Sequence, residues 1–270
     1  MRRSLRILWR VFGICGTAWW GLGTAGVAAD AATWSERKGE HFVIRYQGDE
    51  SMARDMLAKA ETYYDQLDKV LGFRRYQGFW TWDSRVRIVL FPSREAFVTA
   101  TGSPEWAAGK AAFTKREIVG YGKADFADSV LPHELTHLLF RDYIGFETEA
   151  PLWLDEGLAQ WMAPHTQEAA TRRVRDLLAR NKLMSLRALT STDIRQEQDP
   201  ELAAQYYAEA VSLVGFLIAD GGSERFVRLC RQLRGGKNLE DALRFTYADS
   251  TRSMESLEQA WLQALKEKKK

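Results

Sequence analysis

The 270-residue sequence predicts an α+β fold, with a small mixed β-sheet in the first half and a mainly helical second half. Segments in which apolar and polar residues alternate, as in strands, occur only before residue 122. From residue 168 onwards, apolar residues recur every three to four positions, which is typical of amphipathic helices. Since 46% of the residues are apolar, we expect one packed core and a single domain from residue 30 to residue 270.

The first 29 residues predict a targeting segment. Four arginines precede an uncharged run from Val11 to Ala29, and the small residues at its end offer a cleavage point before Asp30. We therefore expect a signal peptide and a mature protein exported to the periplasm or the extracellular space. Because the run is just long enough to span a bilayer, a retained membrane anchor is the alternative.

The charge and cysteine content narrow the possible partners. The net charge of +2 becomes −2 when the four leader arginines are removed. The mature sequence has no basic patch that would predict binding to nucleic acid. Beyond the leader the sequence contains one cysteine, Cys230, which excludes an internal disulfide in the mature protein. We expect core packing alone to stabilise the fold.

The first half of the mature chain predicts three strand-like segments and two helices. Gly72 should end the first helix, Pro92 should end the second strand, and the aromatic-rich residues 73–84 should form a loop or hairpin. His41, which begins the first strand, is expected to be a structural histidine rather than a metal ligand. In chain order the elements are a strand at His41–Tyr46, a helix at Met52–Leu71, a strand at Val86–Phe91, a helix from Ser93 to about Ala100, and a strand-like segment at Ala111–Tyr121.

A His-Glu-x-x-His pattern at His133, Glu134 and His137 predicts a metal site. Two histidines four residues apart lie on one face of a helix, so both imidazoles can reach a single divalent metal. The carboxylate of Glu134 can then take a proton from a water held on that metal. The alternative is a surface helix with two solvated histidines. We expect the helix to be capped by Asp128 or Ser129, with Pro132 in its first turn.

A third ligand is available in Glu156, which is separated from His137 by eighteen residues. A catalytic zinc binds three protein ligands and leaves one position for water. Glu156 lies in the segment Trp153-Leu154-Asp155-Glu156-Gly157, inside a helix predicted from Ala150 or Pro151 to near Pro164. Gln160 follows one turn later and can either hydrogen-bond a ligand or be an exposed helix residue.

These two segments resemble the gluzincin zinc metallopeptidases, in particular the peptidase MA-like group, which is related to aminopeptidase N and thermolysin. The resemblance implies a zincin-like fold and Zn²⁺ as the cofactor. It also implies that His133, His137 and Glu156 bind the zinc, that Glu134 is the general base, and that the position of Asp155 is variable.

The second half predicts consecutive helices, one of which carries a candidate tyrosine. Tyr206 and Tyr207 lie in a segment that resembles the peptidase MA-like group, and the resemblance implies a tyrosine hydroxyl that stabilises the oxyanion. Tyr207 fits the pattern better, Tyr206 is the alternative, and either can instead belong to the core. The helices are predicted at 168–181, at 202–219 with a stop at Gly221 and Gly222, and at 223–234, 238–247 and 251–267.

The combined prediction is an exported zinc-dependent peptidase that hydrolyses peptide bonds through a metal-held water activated by Glu134. Its partner would be a peptide or protein substrate, held in extended form by an edge strand near Ala111–Gly120, as in related enzymes. A metal-binding or scaffold protein of the same fold, with little or no hydrolytic activity, is the alternative.

Overall fold

The computed structural model describes residues 34–72, 80–104, 107–122, 126–145, 150–247 and 252–267. The leader and most of the aromatic-rich loop lie outside these ranges. The described chain divides into two compact units, each described by itself below. Unit 1 comprises the described residues up to Tyr63 and within Gly78–Glu134, and unit 2 comprises those within Tyr64–Gln77 and Leu135–Lys270. A single domain from residue 30 onwards stays a prediction.

Unit 1 contains a mixed five-stranded sheet, which confirms the first part of the predicted fold class. The strand order is β1-β2-β3-β5-β4, with β2, β3 and β5 parallel to one another and the two outer strands antiparallel to their neighbours. Helix α1 links β2 to β3, and helix α2 follows β3. The bounds are β1 Ser35–Lys38, β2 Phe42–Tyr46, α1 Glu50–Leu71, β3 Val86–Phe91, α2 Arg94–Thr101, β4 Gly109–Ala112 and β5 Glu117–Tyr121.

The sequence predicted most of these elements and misread two regions. One strand-like segment over Ala111–Tyr121 is wrong, because a 3₁₀ turn at Phe113–Lys115 and Arg116, at φ 50°, reverse the chain and pair β4 with β5. β1 was missed because its polar residues, three of them exposed, show no apolar alternation. The prediction that Ser93 starts α2 is confirmed, since its side chain caps the helix by accepting a hydrogen bond from the Ala96 amide.

A pair of glycines in the sheet anchors the chain where it enters the predicted metal helix. Gly109 and Gly120 face each other across β4 and β5. A Cβ atom would lie 2.6 Å from the Phe126 ring at Gly109 and 2.2 Å from it at Gly120. Phe126 is fully buried and begins a π-helical turn, Phe126–Val130. Because Gly109 and Gly120 have no side chains, they leave the space that the Phe126 ring occupies.

The predicted caps of the metal helix are wrong. Helix α3 spans Leu131–Ile144, so Asp128 and Ser129 lie inside the π-helical turn that precedes it. Asp128 accepts a hydrogen bond from the Lys59 ammonium of α1 and does not act as the helix cap. Pro132 does lie in the first turn of α3, where the missing amide hydrogen costs no helical hydrogen bond.

The described residues of unit 2 form helices and connecting turns without strands, as predicted from residue 168 onwards, and the helices pack around α7. Helices α4, α5 and α8 all contact α7. The six-residue helix α6 was missed because it is too short to show a helical period, although Ser185 caps it. The bounds are α4 Leu152–Met162, α5 Thr166–Ala179, α6 Leu186–Ser191, α7 Pro200–Arg234, α8 Leu239–Thr246 and α9 Met254–Glu267.

Helix α7 bends at Gly222, whose φ of 71° and ψ of 171° interrupt the helix at the predicted stop. Among the described residues, α7 is the one helix whose length and composition would allow it to cross a membrane. Half of its most apolar stretch is buried inside the structure.

A buried carboxyl on α7 holds the loop that precedes α6. Both oxygens of Glu209 lie 3.2 Å from the Met184 amide nitrogen, and Gln205 Nε2 donates to Oε1 over 2.7 Å. Burial raises the pKa of Glu209 to about 7, although these hydrogen bonds act in the opposite direction.

Candidate metal centre

The structure brings the three predicted metal ligands together. His133 and His137 of α3 and Glu156 of α4 each offer one ligand atom, and these atoms all lie within 4.8 Å of one another. Nε2 of His137 is 3.7 Å from Oε2 of Glu156. Two ligands of one tetrahedral zinc are separated by roughly 3.4 Å, given bonds of about 2.0–2.1 Å. The spacing therefore fits a single small divalent ion.

Helical periodicity and burial hold the two histidines in place. They are four residues apart in α3 and each is only 4% exposed. Leu135, Leu138 and Leu139 of the same helix are buried and fix its orientation.

Helix α4 is positioned by its close approach to α7. A Cβ atom on Gly157 would lie 2.8 Å from the Ala210 carbonyl oxygen and 3.0 Å from a methyl carbon of Val214. Only glycine permits this separation. Gly157 directly follows Glu156, so the close helix contact also fixes the position of the ligand.

Asp155 contacts a predicted metal ligand, a contact that the sequence analysis missed because it treated this position as variable. Oδ1 of Asp155 lies 2.6 Å from Nδ1 of His137. Oδ2 accepts hydrogen bonds from Arg141 Nε at 2.9 Å and from Arg141 Nη2 at 2.7 Å. Gln160 is 3% exposed, so the alternative of an exposed helix residue is wrong, and its hydrogen bond to a ligand stays a prediction. Arg141, one turn after His137, was the only available signal in the sequence.

The surroundings shift the pKa values of the two neighbouring carboxyl groups in opposite directions. Burial would raise the pKa of Asp155, but the charges and hydrogen bonds of His137 and Arg141 hold it below its usual value. Burial raises the pKa of Glu156, and the negative charge of Asp155 adds to this rise against the opposing effect of His137. A buried carboxylate of this kind is stabilised by a nearby divalent cation.

Glu134, the predicted general base, follows His133 directly and is 6% exposed. Its role as a base stays a prediction.

The two candidate tyrosines lie side by side on α7, with ring centroids 5.6 Å apart. The Tyr206 hydroxyl is buried and has no hydrogen-bond partner among the described residues. Burial raises the pKa of Tyr206, and the charge of Glu156 raises it further. Tyr206 thus lies within electrostatic reach of the predicted ligand Glu156, whereas the role of Tyr207 stays a prediction.

His41 does not belong to the group of residues that could hold a metal, as expected. Its Nδ1 is 2.7 Å from Oε2 of Glu61, and its backbone amide donates to the other oxygen of that carboxylate over 3.0 Å. It therefore has the structural role that the sequence analysis assigned to it.

Comparison with known proteins agrees with the geometry of the site. Residues 83–266 match the family model of the peptidase MA superfamily, so the match includes all three clustered ligands and both tyrosines. None of the curated proteins compared with the chain matches it. The family match supports a metallopeptidase at the level of broad class, and the structure adds a group of residues that could hold a metal. The chain belongs to the peptidase MA superfamily.

Proposed function

We propose that the protein is a zinc-dependent peptidase of the gluzincin type, in which His133, His137 and Glu156 bind the zinc. The observation that carries the proposal is the convergence of these three ligand atoms in a member of the peptidase MA superfamily. Two imidazole nitrogens and one carboxylate oxygen are the donor set of several catalytic zinc sites, which keep a fourth position open.

When bound, a zinc ion polarises the scissile carbonyl and lowers the pKa of water from about 16 to roughly 7. Glu134 accepts a proton from the water while the oxygen of that water attacks the carbonyl carbon. Glu134 then passes that proton to the amine nitrogen as the carbon–nitrogen bond breaks, which leaves one new carboxyl and one new amine. Its low exposure keeps bulk water away from the proton-transfer step.

A tyrosine of α7 completes the proposed site by donating its hydroxyl to the oxyanion that forms on the carbonyl oxygen. The sequence resemblance favours Tyr207. The buried Tyr206 hydroxyl and the influence of Glu156 on its pKa support Tyr206 instead.

An extended peptide substrate would pair with the outer edge of β4, because β4 pairs only with β5 in the described sheet. The strand order narrows the peptide-binding segment predicted near Ala111–Gly120. Gly120 belongs to β5, which has a neighbour on each side and therefore has no free edge for a peptide. The proposed binding edge is Gly109–Ala112.

We also propose that the protein is exported, with its first 29 residues acting as a cleaved leader. The arginines followed by a small-residue cleavage point support this proposal.

The deciding experiment compares zinc content and peptide turnover in the wild type and in Glu134→Ala. The variant should retain zinc, because Glu134 is not a ligand, and it should lose about 100- to 10,000-fold in turnover. Glu168→Ala is a matched control, since that glutamate lies on α5 with its side chain 82% exposed. Equal turnover in the wild type and Glu134→Ala would refute the catalytic proposal and favour a metal-binding scaffold.

A further inference from the structure

The two ring nitrogens of His137 have different surroundings. Nδ1 lies 2.6 Å from Oδ1 of Asp155, and Nε2 faces the Glu156 carboxylate at 3.7 Å. Histidine can bind a metal through either nitrogen, and the hydrogen bond made by the other nitrogen decides which one is available. In this site Asp155 engages Nδ1, which leaves Nε2 for the ion.

Arg141 determines how Asp155 can act. It donates two N–H groups to Oδ2, from Nε over 2.9 Å and from Nη2 over 2.7 Å. Because the guanidinium has only donors, Asp155 must accept on this side, and its second oxygen is left to accept the Nδ1 hydrogen of His137. The Asp155 side chain is 2% exposed, so water cannot readily replace either partner.

The network joins the two helices that carry the ligands. His137 and Arg141 occupy successive turns of α3, and Asp155 lies beside the ligand Glu156 on α4. A single carboxylate therefore orients one ligand directly and fixes the backbone of the other.

We propose that Asp155 and Arg141 form a positioning pair. The pair keeps the proton of His137 on Nδ1, so that Nε2 faces the metal position even in the metal-free protein. The part that concerns metal affinity rests on the proposed zinc site, whereas the part that concerns the proton position does not.

Asp155→Asn tests the proposal with almost no change in volume. Arg141 offers two N–H groups and His137 offers one, so the amide oxygen should turn towards Arg141 and the amide NH₂ towards Nδ1. An NH₂ group can only donate, which moves the imidazole hydrogen to Nε2 and blocks the nitrogen needed by the metal. We expect zinc affinity to fall about 10- to 100-fold, the usual cost of removing such an outer partner.

A second substitution separates this role from simple support of the fold. In Asp155→Asn/Arg141→Met nothing holds the amide oxygen away from His137, so the oxygen can accept from Nδ1 again. The double variant should bind zinc more tightly than Asp155→Asn alone, although it has lost one more hydrogen-bonding partner. A purely structural role for the pair predicts the opposite order.

The measurements are ¹⁵N NMR of the His137 ring in the metal-free protein and competition for Zn²⁺ with a chelator. Glu61→Gln is the matched control, because it changes an equivalent histidine–carboxylate pair at His41 and should leave zinc affinity unchanged. A hydrogen on Nε2 of His137 in the metal-free wild type would overturn the proposal, whether or not Asp155→Asn folds.

The control His137→Ala keeps the two proposals distinguishable. If the wild type binds zinc and His137→Ala does not, the proposed metal site stands. Unchanged affinity in Asp155→Asn would then overturn the positioning pair alone. If the wild type binds no zinc, the proposed function fails, and the NMR measurement still decides where the proton lies.

Discussion

Replacing Gly157 by alanine should destabilise the protein and weaken its metal site, although alanine favours helices. The new Cβ would lie 2.8 Å from the Ala210 carbonyl oxygen and 2.9 Å from its carbonyl carbon. A carbon–oxygen contact is ordinarily no closer than about 3.3 Å, so α4 would have to retreat from α7 by about 0.5 Å. The obstructing atoms belong to the backbone of a packed helix, so they cannot rotate away.

The magnitude follows from two opposing effects. Overpacking costs about 1–3 kcal/mol, and backbone neighbours place this site in the upper part of that range. The gain in helix propensity from glycine to alanine offsets about 1 kcal/mol. A net loss of about 1–2 kcal/mol corresponds to a drop of about 2–8 °C in Tm for a protein of this size.

Thermal unfolding and zinc competition should be measured together for Gly157→Ala. A retreat of α4 moves Glu156 as well, so we expect zinc affinity to fall about 10-fold or more. Gly235→Ala is the matched control, because its Cβ would lie an ordinary 3.4 Å from the nearest atom, the Gln232 carbonyl oxygen. Wild-type stability and zinc affinity in Gly157→Ala would refute the argument that close helix contact positions the ligand.

Three further predictions concern a carboxyl, the tyrosines and the leader. Because folding raises the pKa of Glu209 from 4.5 to about 7, its stabilising effect is fully present below pH 4.5 and is lost as the pH rises through 7. Urea unfolding at pH 5 and pH 8 should show a loss of roughly 2.5 kcal/mol from this group, and Glu209→Gln should remove that part of the pH dependence. Tyr207→Phe or Tyr206→Phe, whichever removes the oxyanion donor, should lose about 100- to 1,000-fold in turnover with little change in substrate binding, and no loss in either would leave the oxyanion without a tyrosine donor. N-terminal sequencing of the exported protein should begin near Asp30, whereas Met1 retained in the membrane fraction would indicate an anchor.

The metal cluster could be predicted from the sequence because its geometry is mostly local. The four-residue separation of His133 and His137 places both rings on one helix face, whatever surrounds the helix. The prediction of Glu156 as the third ligand also required the resemblance to the gluzincins, since no local rule predicts that this residue lies close to α3. Its position in the cluster then agrees with that resemblance.

The parts that the sequence did not reveal depend on which residues pair with each other in the folded chain. Ala111–Tyr121 reads as one strand because no glycine, proline, asparagine or aspartate marks a turn before Gly120, and only the pairing of β4 with β5 shows where the chain reverses. Asp128 looks like a helix cap by residue type, but Lys59 of α1 is its partner. In both regions a pairing partner, nearby in the chain for β4 and distant for Asp128, determined the structure against a local preference.

The position of Glu156 depends on its neighbours Asp155 and Gly157 as well as on its distance from His137 in the sequence. Successive side chains on a helix point about 100° apart, so Asp155, Glu156 and Gly157 face three directions. Asp155 is hydrogen-bonded to His137 on α3, and the backbone of Gly157 contacts α7. Glu156 between them is therefore fixed from two sides by residues outside the group of three that could hold a metal. It follows that Asp155→Asn and Gly157→Ala should both lower zinc affinity by displacing or blocking ligands. Because they act on the same short segment, their combined effect should differ from the sum of the separate effects.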